Sequence, residues 1–239
     1  MKIDGNYLVL EDKDIINDKK IKGHAFVELL GLNPFKKSGD ALLEHCGLLP
    51  SDEVLKKWLL RGDFAEKVVK KTYEKYGRTC TTYDKVKIGW DNFHENENFG
   101  GLIDIELLLE KTLIEVKSKN IKDYMYIINK QPKHEVYQGM LYAYLRGYKS
   151  FIMEYIFFDD ETEKEIFEGR KPTTLSKLKR FYKIFDVEYE IMTEYMQICL
   201  EKIEEFKLTR KIDLKNISDT ALEKLGLLNK DVDISDVGW

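Results

Sequence analysis

Three side chains near the middle of the sequence are of the types that cleave phosphodiester bonds with a metal ion. Asp104 closes the segment Gly100-Gly-Leu-Ile-Asp104, and Glu115-Val-Lys117 follows after ten further residues. Two carboxylates and the carbonyl of Val116 are oxygen donors of the kind that Mg²⁺ or Mn²⁺ prefers. Such an ion would activate a water, while Lys117 would orient that water, help to deprotonate it or stabilise the transition state. The pattern predicts a divalent-metal phosphodiesterase site.

Two short strands joined by a tight turn would have to hold these residues. Gly101–Leu109 and Thr112–Lys119 are both rich in apolar residues, and Glu110-Lys111 is suited to connect them. Because side chains alternate along a strand, Glu115 and Lys117 would share one face. The sequence therefore predicts a β-hairpin that carries the site.

The hairpin, rather than the acid-x-lysine pattern, makes the prediction specific. In a hairpin that turns at Glu110-Lys111, Asp104 would lie roughly opposite Lys117, and Val116 would point into the core. The acid-x-lysine pattern recurs where no comparable hairpin is predicted, at Glu11-Asp12-Lys13, Glu205-Phe206-Lys207 and Asp213-Leu214-Lys215. On an exposed strand, neighbouring Glu and Lys would form an ordinary solvated face. Other parts of the chain must agree before a site is inferred.

The composition is that of a folded globular protein without a histone-like positive coat. The chain has 239 residues, 43% of them hydrophobic, and a net charge of −4, which still permits a local basic groove. No apolar run approaches the roughly 20 residues of a membrane span, and the N-terminus lacks a signal-peptide core. Three scattered cysteines (Cys46, Cys80 and Cys199) disfavour a disulfide framework, a zinc ribbon and a four-cysteine iron–sulfur cluster. We expect a reduced, cytosolic protein.

The remaining elements mix helices and strands. Helices are predicted over 23–30 and 38–47, from a start at Ser51-Asp52-Glu53 to near 77, and from Pro132 to about 146. Strands are predicted over 81–90 and 150–158, with a short one around Ile166, and a long helical region is predicted over 173–207. This order predicts an α/β (α+β) fold, in which helices flank a small mixed central β-sheet and further helices lie at both ends.

Three further segments agree with the hairpin: Ile21–Pro34 with its Leu-Gly-Leu-Asn-Pro turn, Arg61-Gly-Asp-Phe-Ala-Glu66, and Pro132–Tyr142. Together with the Asp-Glu-Lys motif, they resemble the PD-(D/E)xK nuclease superfamily, and within it the YqaJ-like phage recombination exonucleases, the group of the lambda exonuclease. The resemblance implies a restriction-endonuclease-like core. It implies a single nuclease domain over 1–239, with its core over about 21–158 and a C-terminal helical region over about 173–239.

The resemblance also implies roles for the motif residues. Asp104 and Glu115 would be the main metal ligands, with the Val116 carbonyl assisting. Glu66 would bind the metal directly or through water, and a solvated helix glutamate is the alternative for it. Lys117 would be the catalytic lysine.

A helix after the lysine strand would complete the site. Gln138 would support the site by resemblance. His134, Gln138 and Tyr142 are spaced i, i+4, i+8, so they form one stripe that could face the phosphates of the substrate. The alternatives are core packing for Tyr142 and helix-start polarity for His134.

The N-terminal segment would read the DNA end. The family's 5′-phosphate pocket implies an Arg and a Ser there, whereas this chain offers Lys19, Lys20, Lys22 and His24. Lysine binds phosphate as a point charge without the bidentate geometry of arginine, so strict dependence on a 5′-phosphate is in doubt. An ordinary charged surface is the alternative for these lysines.

The function implied by the resemblance is a Mg²⁺-dependent exonuclease of phage-type recombination that degrades duplex DNA from its ends, with Mn²⁺ as another possible ion and no iron–sulfur cluster. The resemblance also implies a homo-oligomer such as a trimeric ring, and a single-strand annealing protein as its partner. It implies a phage or prophage protein that acts in the bacterial cytoplasm without membrane contact. Two alternatives are open. One is a RecB- or Cas4-like nuclease that serves a helicase or another complex, and the other is a catalytically silent DNA-binding module of the same fold.

Overall fold

The computed structural model describes residues 1–17, 19–51, 55–170 and 178–228. The chain divides into a terminal unit (Met1–Lys19, Ala25–Ser51, Tyr195–Trp239) and a central unit (Lys20–His24, Asp52–Glu194). The predicted metal ligands and catalytic lysine all lie in the central unit, and the single nuclease domain stays a prediction. No helix in the described ranges combines the length and the apolar character needed to cross a bilayer.

The strands and helices follow one another in a mixed order along the chain. The strands are β1 (Lys2–Asp4), β2 (Tyr7–Val9), β3 (Ile21–Lys22), β4 (Phe99–Gly100), β5 (Ile105–Leu107), β6 (Thr112–Asn120), β7 (Ser150–Phe158), β8 (Lys179–Asp186) and β9 (Lys211–Asp213). The helices are α1 (Gly23–Leu29), α2 (Ser38–His45), α3 (Lys56–Lys75), α4 (Tyr124–Lys130), α5 (Lys133–Leu145), α6 (Asp160–Phe167), α7 (Tyr189–Thr209) and α8 (Asp219–Lys224).

A four-stranded sheet in the order β5-β6-β7-β8 forms the centre of the central unit. β6 and β7 are parallel, whereas β5 pairs with β6 and β8 pairs with β7 in antiparallel fashion. Parallel neighbours need a long crossover, and α4 and α5 provide it between β6 and β7. The predicted mixed sheet flanked by helices is confirmed, as are α1, α2, α5 and β7 close to their predicted bounds.

The two faces of this sheet pack against different helices. On one face, Ile114 and Val116 of β6 share a buried apolar cluster with Ala65 and Val69 of α3 and with Ile166 of α6. On the other face, α5 approaches closely, because a Cβ at Gly139 would lie 2.7 Å from the Phe151 ring of β7. Alternation along β6 therefore turns Glu115 and Lys117 toward the α5 side.

The predicted helical region over 173–207 is wrong in its first part, which forms strand β8. Leu178, Phe181, Tyr182 and Phe185 are spaced i, i+3, i+4, i+7, which is a helical pattern. The segment is nevertheless paired residue by residue with β7, from Ser150↔Asp186 to Phe157↔Lys179. Pairing with a long buried strand overrides the local pattern. The residues from Thr173 to 177 lie outside the described ranges.

The short strand around Ile166 and the strand over 81–90 are also wrong. Ile166 lies in α6, whose N-cap Asp159 accepts a hydrogen bond from the backbone N–H of Thr162 at 2.7 Å. Of residues 81–90, only Thr81 forms a β-bridge, and turns follow in which the Asp84 carboxylate accepts from the N–H of Val86 at 3.1 Å. Residues 52–54, on which most of the predicted helix start falls, lie outside the described ranges, and α3 begins at Lys56.

The sequence did not predict the three-stranded sheet of the terminal unit. It has the order β1-β2-β9, with Leu8 of β2 opposite Ile212 of β9. Its strands have three residues each, too few to show an alternating pattern.

Candidate active site

The β5–β6 hairpin carries the acid-acid-lysine motif. Its register pairs Ile105 with Ile114, and its turn spans residues 108–111. Continued by one residue, this register sets Asp104 opposite Glu115, so the predicted position opposite Lys117 is wrong. The longer turn shifts the register relative to a turn at residues 110 and 111. The Oδ2 atom of Asp104 accepts a hydrogen bond from the N–H of Val116 at 2.8 Å, which holds the carboxylate against β6.

The segment before Asp104 is held by two side chains from the loop that precedes it. The Oδ1 atom of Asp91 accepts from the N–H of Gly101 at 3.1 Å, and the Oδ1 atom of Asn92 accepts from the N–H of Ile103 at 2.8 Å. Gly101 has φ +149, and a Cβ there would clash with the ring of Tyr142. Glycine is thus required where this segment passes the ring.

Glu115 and Lys117 lie on the same face of β6, as predicted, and they form an ion pair. The Nζ atom of Lys117 lies 2.8 Å from Oε1 of Glu115. Glu115 is 2% exposed, and its Oε2 has no hydrogen-bond partner among the described residues. A buried carboxylate oxygen without a partner is energetically costly, so this atom is well suited to a cation.

Helix α5 adds Gln138 and Tyr142 to the same cluster. The Oε1 atom of Gln138 accepts from Nζ of Lys117 at 3.1 Å, and its Nε2 donates to the Tyr142 hydroxyl at 3.5 Å. Tyr142 is 4% exposed and stacks on Phe93, with 5.7 Å between the ring centroids. Gln138 therefore positions Lys117. Tyr142 is packed in the core, which was the alternative to a substrate contact.

Helix α3 brings Glu66 to the cluster and is locked against β6 by Arg61. The Arg61 guanidinium donates to the hydroxyl of Ser118 at 3.2 Å and to its carbonyl at 2.9 Å, and it pairs with Glu163 at 2.5 Å. One turn further along α3, Oε1 of Glu66 lies 3.5 Å from Nζ of Lys85. The structure thus adds a second lysine to the site.

The three carboxylates perturb one another. Burial, then the nearby charge of Glu66, raises the pKa of Asp104 to about 7. Burial also raises the pKa of Glu115 to about 7, with Asp104 adding to the shift against the opposing effect of Lys117. The pKa of Glu66 is raised by burial, and Glu115 is among its like-charged neighbours. Mutual effects of this kind place Glu66, Asp104 and Glu115 within electrostatic reach of one another.

The donor set fits a hard divalent cation. It consists of oxygens from the three carboxylates and the Val116 carbonyl. One of them, Oε2 of Glu115, is buried and has no hydrogen-bond partner in the part of the chain that the structure describes. As the side chains are placed, the described ranges contain no group of three or more His, Cys, Asp or Glu residues that could hold a metal ion. The ammonium groups of Lys117 and Lys85 balance the carboxylates instead. A metal shared by Glu66, Asp104 and Glu115 stays a prediction.

Lys117 acts in this cluster as a cation. Burial favours a lower pKa, but the carboxylates of Glu115, Glu135 and Asp104 outweigh it, so the pKa of Lys117 is raised above its ordinary value. The side chain is therefore protonated at neutral pH. Of the three roles predicted for Lys117, orienting a water and stabilising negative charge need no loss of its proton.

The other predicted substrate contacts have different surroundings. Nζ of Lys20 lies 2.9 Å from Oδ2 of Asp91 and donates to the Phe93 carbonyl at 2.8 Å. Its ammonium group therefore stabilises the loop that contains Asp91 and Phe93. Lys19 and Lys22 are exposed. His134 is partly buried, 3.9 Å from Oε1 of Glu135, and burial lowers its pKa. Substrate contacts of these residues stay predictions.

The sequence analysis missed Lys85, Asp91 and Asn92 as parts of the site. Lys85 lies in the stretch predicted as a strand, and no motif distinguishes it from the other lysines. The run Asp91-Asn92 was a visible turn signal. Its contacts to Gly101 and Ile103 nevertheless depend on tertiary packing.

Comparison with known proteins identifies solved structures that share the fold of this chain. No protein-family model and no curated protein sequence matches the chain. The crystal structure of a phage-related exonuclease from Haemophilus somnus 129PT matches with a TM-score of 0.57 and 14% identity, covering 80% of this chain and 94% of that one. The chain has the fold of this exonuclease. The resemblance inferred from the sequence is confirmed at the level of the fold.

Two further structures share the fold. An alkaline exonuclease (LHK-Exo) from Laribacter hongkongensis matches with a TM-score of 0.52 and 16% identity, covering 80% of this chain and 89% of that one. LHK-Exo in complex with dAMP matches with a TM-score of 0.52, 14% identity and the same coverage. The shared fold spans most of both chains in each comparison.

We expect the metal-free protein to lose stability as the pH rises from about 4 to about 7. Unfolded carboxylates titrate near pH 4, whereas those of Asp104 and Glu115 titrate near 7 in the fold. Between these values the folded state binds more protons than the unfolded state, so the free energy of unfolding falls with rising pH. Thermal unfolding in EDTA should show a falling Tm. Mg²⁺ at pH 8 should restore the Tm, because an ion held by these carboxylates, as predicted, would bind only the folded state.

The double variant Asp104→Asn/Glu115→Gln is the matched control for this experiment. It removes both titrations, so its Tm should change less over the same pH range and should not respond to Mg²⁺. An identical pH profile in both proteins would contradict the assignment.

Proposed function

We propose that the chain is a Mg²⁺- or Mn²⁺-dependent deoxyribonuclease that hydrolyses phosphodiester bonds from the ends of duplex DNA, as an exonuclease of phage-type recombination. One observation carries the proposal. A buried glutamate, a partly buried aspartate and a protonated lysine lie on one hairpin, in a fold shared with two proteins described as exonucleases. The dAMP bound in one of those structures is a deoxynucleotide.

In this proposal the residues of the hairpin hold the ion and the water. Asp104, Glu115 and Glu66 would be the carboxylate ligands, and the Val116 carbonyl would assist. When bound, the ion supplies a water of lowered pKa and neutralises charge on the scissile phosphate. The N–H of Val116 fixes Oδ2 of Asp104, so Oδ1 would be the oxygen that binds the ion.

Lys117 supplies a fixed positive charge beside the reacting phosphate. Because its pKa is raised, it would orient the attacking water and stabilise the developing negative charge as an ammonium ion. The amide oxygen of Gln138 fixes the direction of that ammonium. The proposal assigns Lys117 an electrostatic role and Gln138 a positioning role.

The cellular setting is part of the same proposal. A phage-type recombination exonuclease would act in the bacterial cytoplasm, as a homo-oligomer such as a trimer, beside a single-strand annealing protein. One of the similar structures is described as phage-related, which is consistent with this setting.

The decisive experiment compares linear and covalently closed duplex DNA, each labelled internally, with Mg²⁺ and with EDTA. The linear duplex should release mononucleotides only with Mg²⁺, and the closed circle should remain intact. Intact linear duplex after hours with Mg²⁺ and with Mn²⁺ would overturn the proposal. Cleavage of circular single strands would favour a nuclease that serves a helicase complex over an exonuclease that requires an end.

A further inference from the structure

A groove lined by lysines lies directly beside the carboxylate cluster. Its volume is about 410 Å³, and its walls are formed by Asp63, Glu66, Lys67, Lys70, Thr82, Tyr83 and Lys85. Glu66 belongs to both the groove and the cluster, because its charge acts on Asp104. The volume falls within the range of about 300–1,000 Å³ that is typical of ligand sites.

One face of helix α3 makes the floor of the groove. Asp63, Glu66, Lys67 and Lys70 follow the i, i+3, i+4, i+7 spacing of a single helical stripe. At a rise of about 1.5 Å per residue, Lys70 stands about 6 Å along the axis from Glu66. The lysines of the stripe therefore extend away from the carboxylate cluster along the helix axis.

The opposite wall is fixed from two sides. The hydroxyl of Tyr83 donates to the buried Glu106 of β5, and Thr81 forms a β-bridge with the same residue. Thr82 accepts from Nζ of Lys70 at 3.1 Å, which ties the wall to the floor. The groove is therefore built by the fold.

The charges of the groove favour an anion once the cluster holds a metal. Lys85 lies 3.4 Å from Asp63 and 3.5 Å from Glu66. If Glu66 binds a cation, the groove lining keeps three lysines and one aspartate, whose side chain is 52% exposed. Lys70 also lies 4.0 Å from Glu74, which is outside the groove. Lys67 is exposed and forms no ion pair with the residues that the structure describes.

We propose that Lys67, Lys70 and Lys85 bind backbone phosphates of the DNA strand next to the scissile bond. This inference rests on the proposed function. It adds a DNA-binding surface that is separate from the N-terminal lysines predicted to contact the substrate. Lys85 lies at the end of the groove next to the carboxylate cluster. When the carboxylates hold their ion, Lys85 would leave its ion pair with Glu66 and pair with a phosphate instead. Lys67 and Lys70 would hold the next phosphates along the helix.

Salt-dependent DNA binding tests the groove without any need for cleavage. Anisotropy of a short fluorescent duplex, with Ca²⁺ at a fixed concentration as a hard divalent ion in place of Mg²⁺, should show that Lys67→Ala and Lys70→Ala each weaken binding by roughly threefold. Each should also lower the slope of log affinity against log salt by about 0.9, and the double variant should lower it by about twice as much. Lys164→Ala is the matched control, because Lys164 is an exposed lysine of helix α6 in the same unit and does not line the groove.

The outcomes separate this inference from the proposed function. Slopes equal to wild type in Lys67→Ala, Lys70→Ala and the double variant would overturn the groove, even if wild type degrades linear DNA. Lowered slopes without hydrolysis by wild type would support the groove and overturn the nuclease. Lys67→Ala decides if Lys70→Ala perturbs the fold, because Lys67 lacks the bond to Thr82 that Lys70 makes.

Discussion

Replacing Asp104 by Asn should lower Mg²⁺-dependent degradation of linear duplex DNA by roughly a thousandfold. Asn has the shape of Asp, and its amide oxygen can still accept the bond from the N–H of Val116. The charge that would bind the ion is lost. The measurement is kcat for nucleotide release, with circular dichroism to confirm the fold.

Glu110→Gln is the control for the Asp104 variant. Glu110 lies in the turn of the same hairpin and pairs with Arg78 at the surface. Its removal should leave kcat unchanged. An Asp104→Asn protein with activity within a fewfold of wild type would show that the hairpin is not the metal site.

Lys117→Met should lower kcat by about a hundredfold to a thousandfold, because it removes a fixed charge that stabilises the transition state. The raised pKa of Lys117 keeps it protonated throughout the neutral range, so its loss should lower the whole pH–rate profile without removing a limb. Single-turnover rates across neutral pH, at saturating Mg²⁺, measure this effect.

Lys122→Met is the control for the Lys117 variant. Lys122 follows β6 closely, but its side chain is 71% exposed and pairs with Asp160 at the surface. Its loss should leave the profile unchanged. If Lys117→Met instead abolished a limb near neutral pH, proton transfer by Lys117 would replace the electrostatic role.

The local elements around the site were predictable because their signals lie within a few residues. Alternation predicted that Glu115 and Lys117 share a face, and Pro132 marked the start of α5. The register of the hairpin was not predictable. It depends on where the chain leaves the sheet, and the turn over residues 108–111 moved Asp104 opposite Glu115.

Strand β8 shows the same limit on a larger scale. Its apolar residues fit a helix as well as a strand, so the choice is made by the neighbouring strand. β7 is buried along nearly its whole length and offers a complete edge to pair with. No window of the β8 sequence contains that information.

The sequence by itself determined which residues could do the chemistry and which local elements carry them: an acid, a second acid and a lysine on a hairpin, with glutamate and glutamine on two helices. Only the tertiary structure decided which hydrogen bonds and ion pairs these side chains form. Lys117 contacts Gln138 across 21 residues, and Lys85 contacts Glu66 across 19. The reason is physical, because sequence spacing specifies direction along one helix or strand, whereas contacts between elements depend on how their buried faces pack.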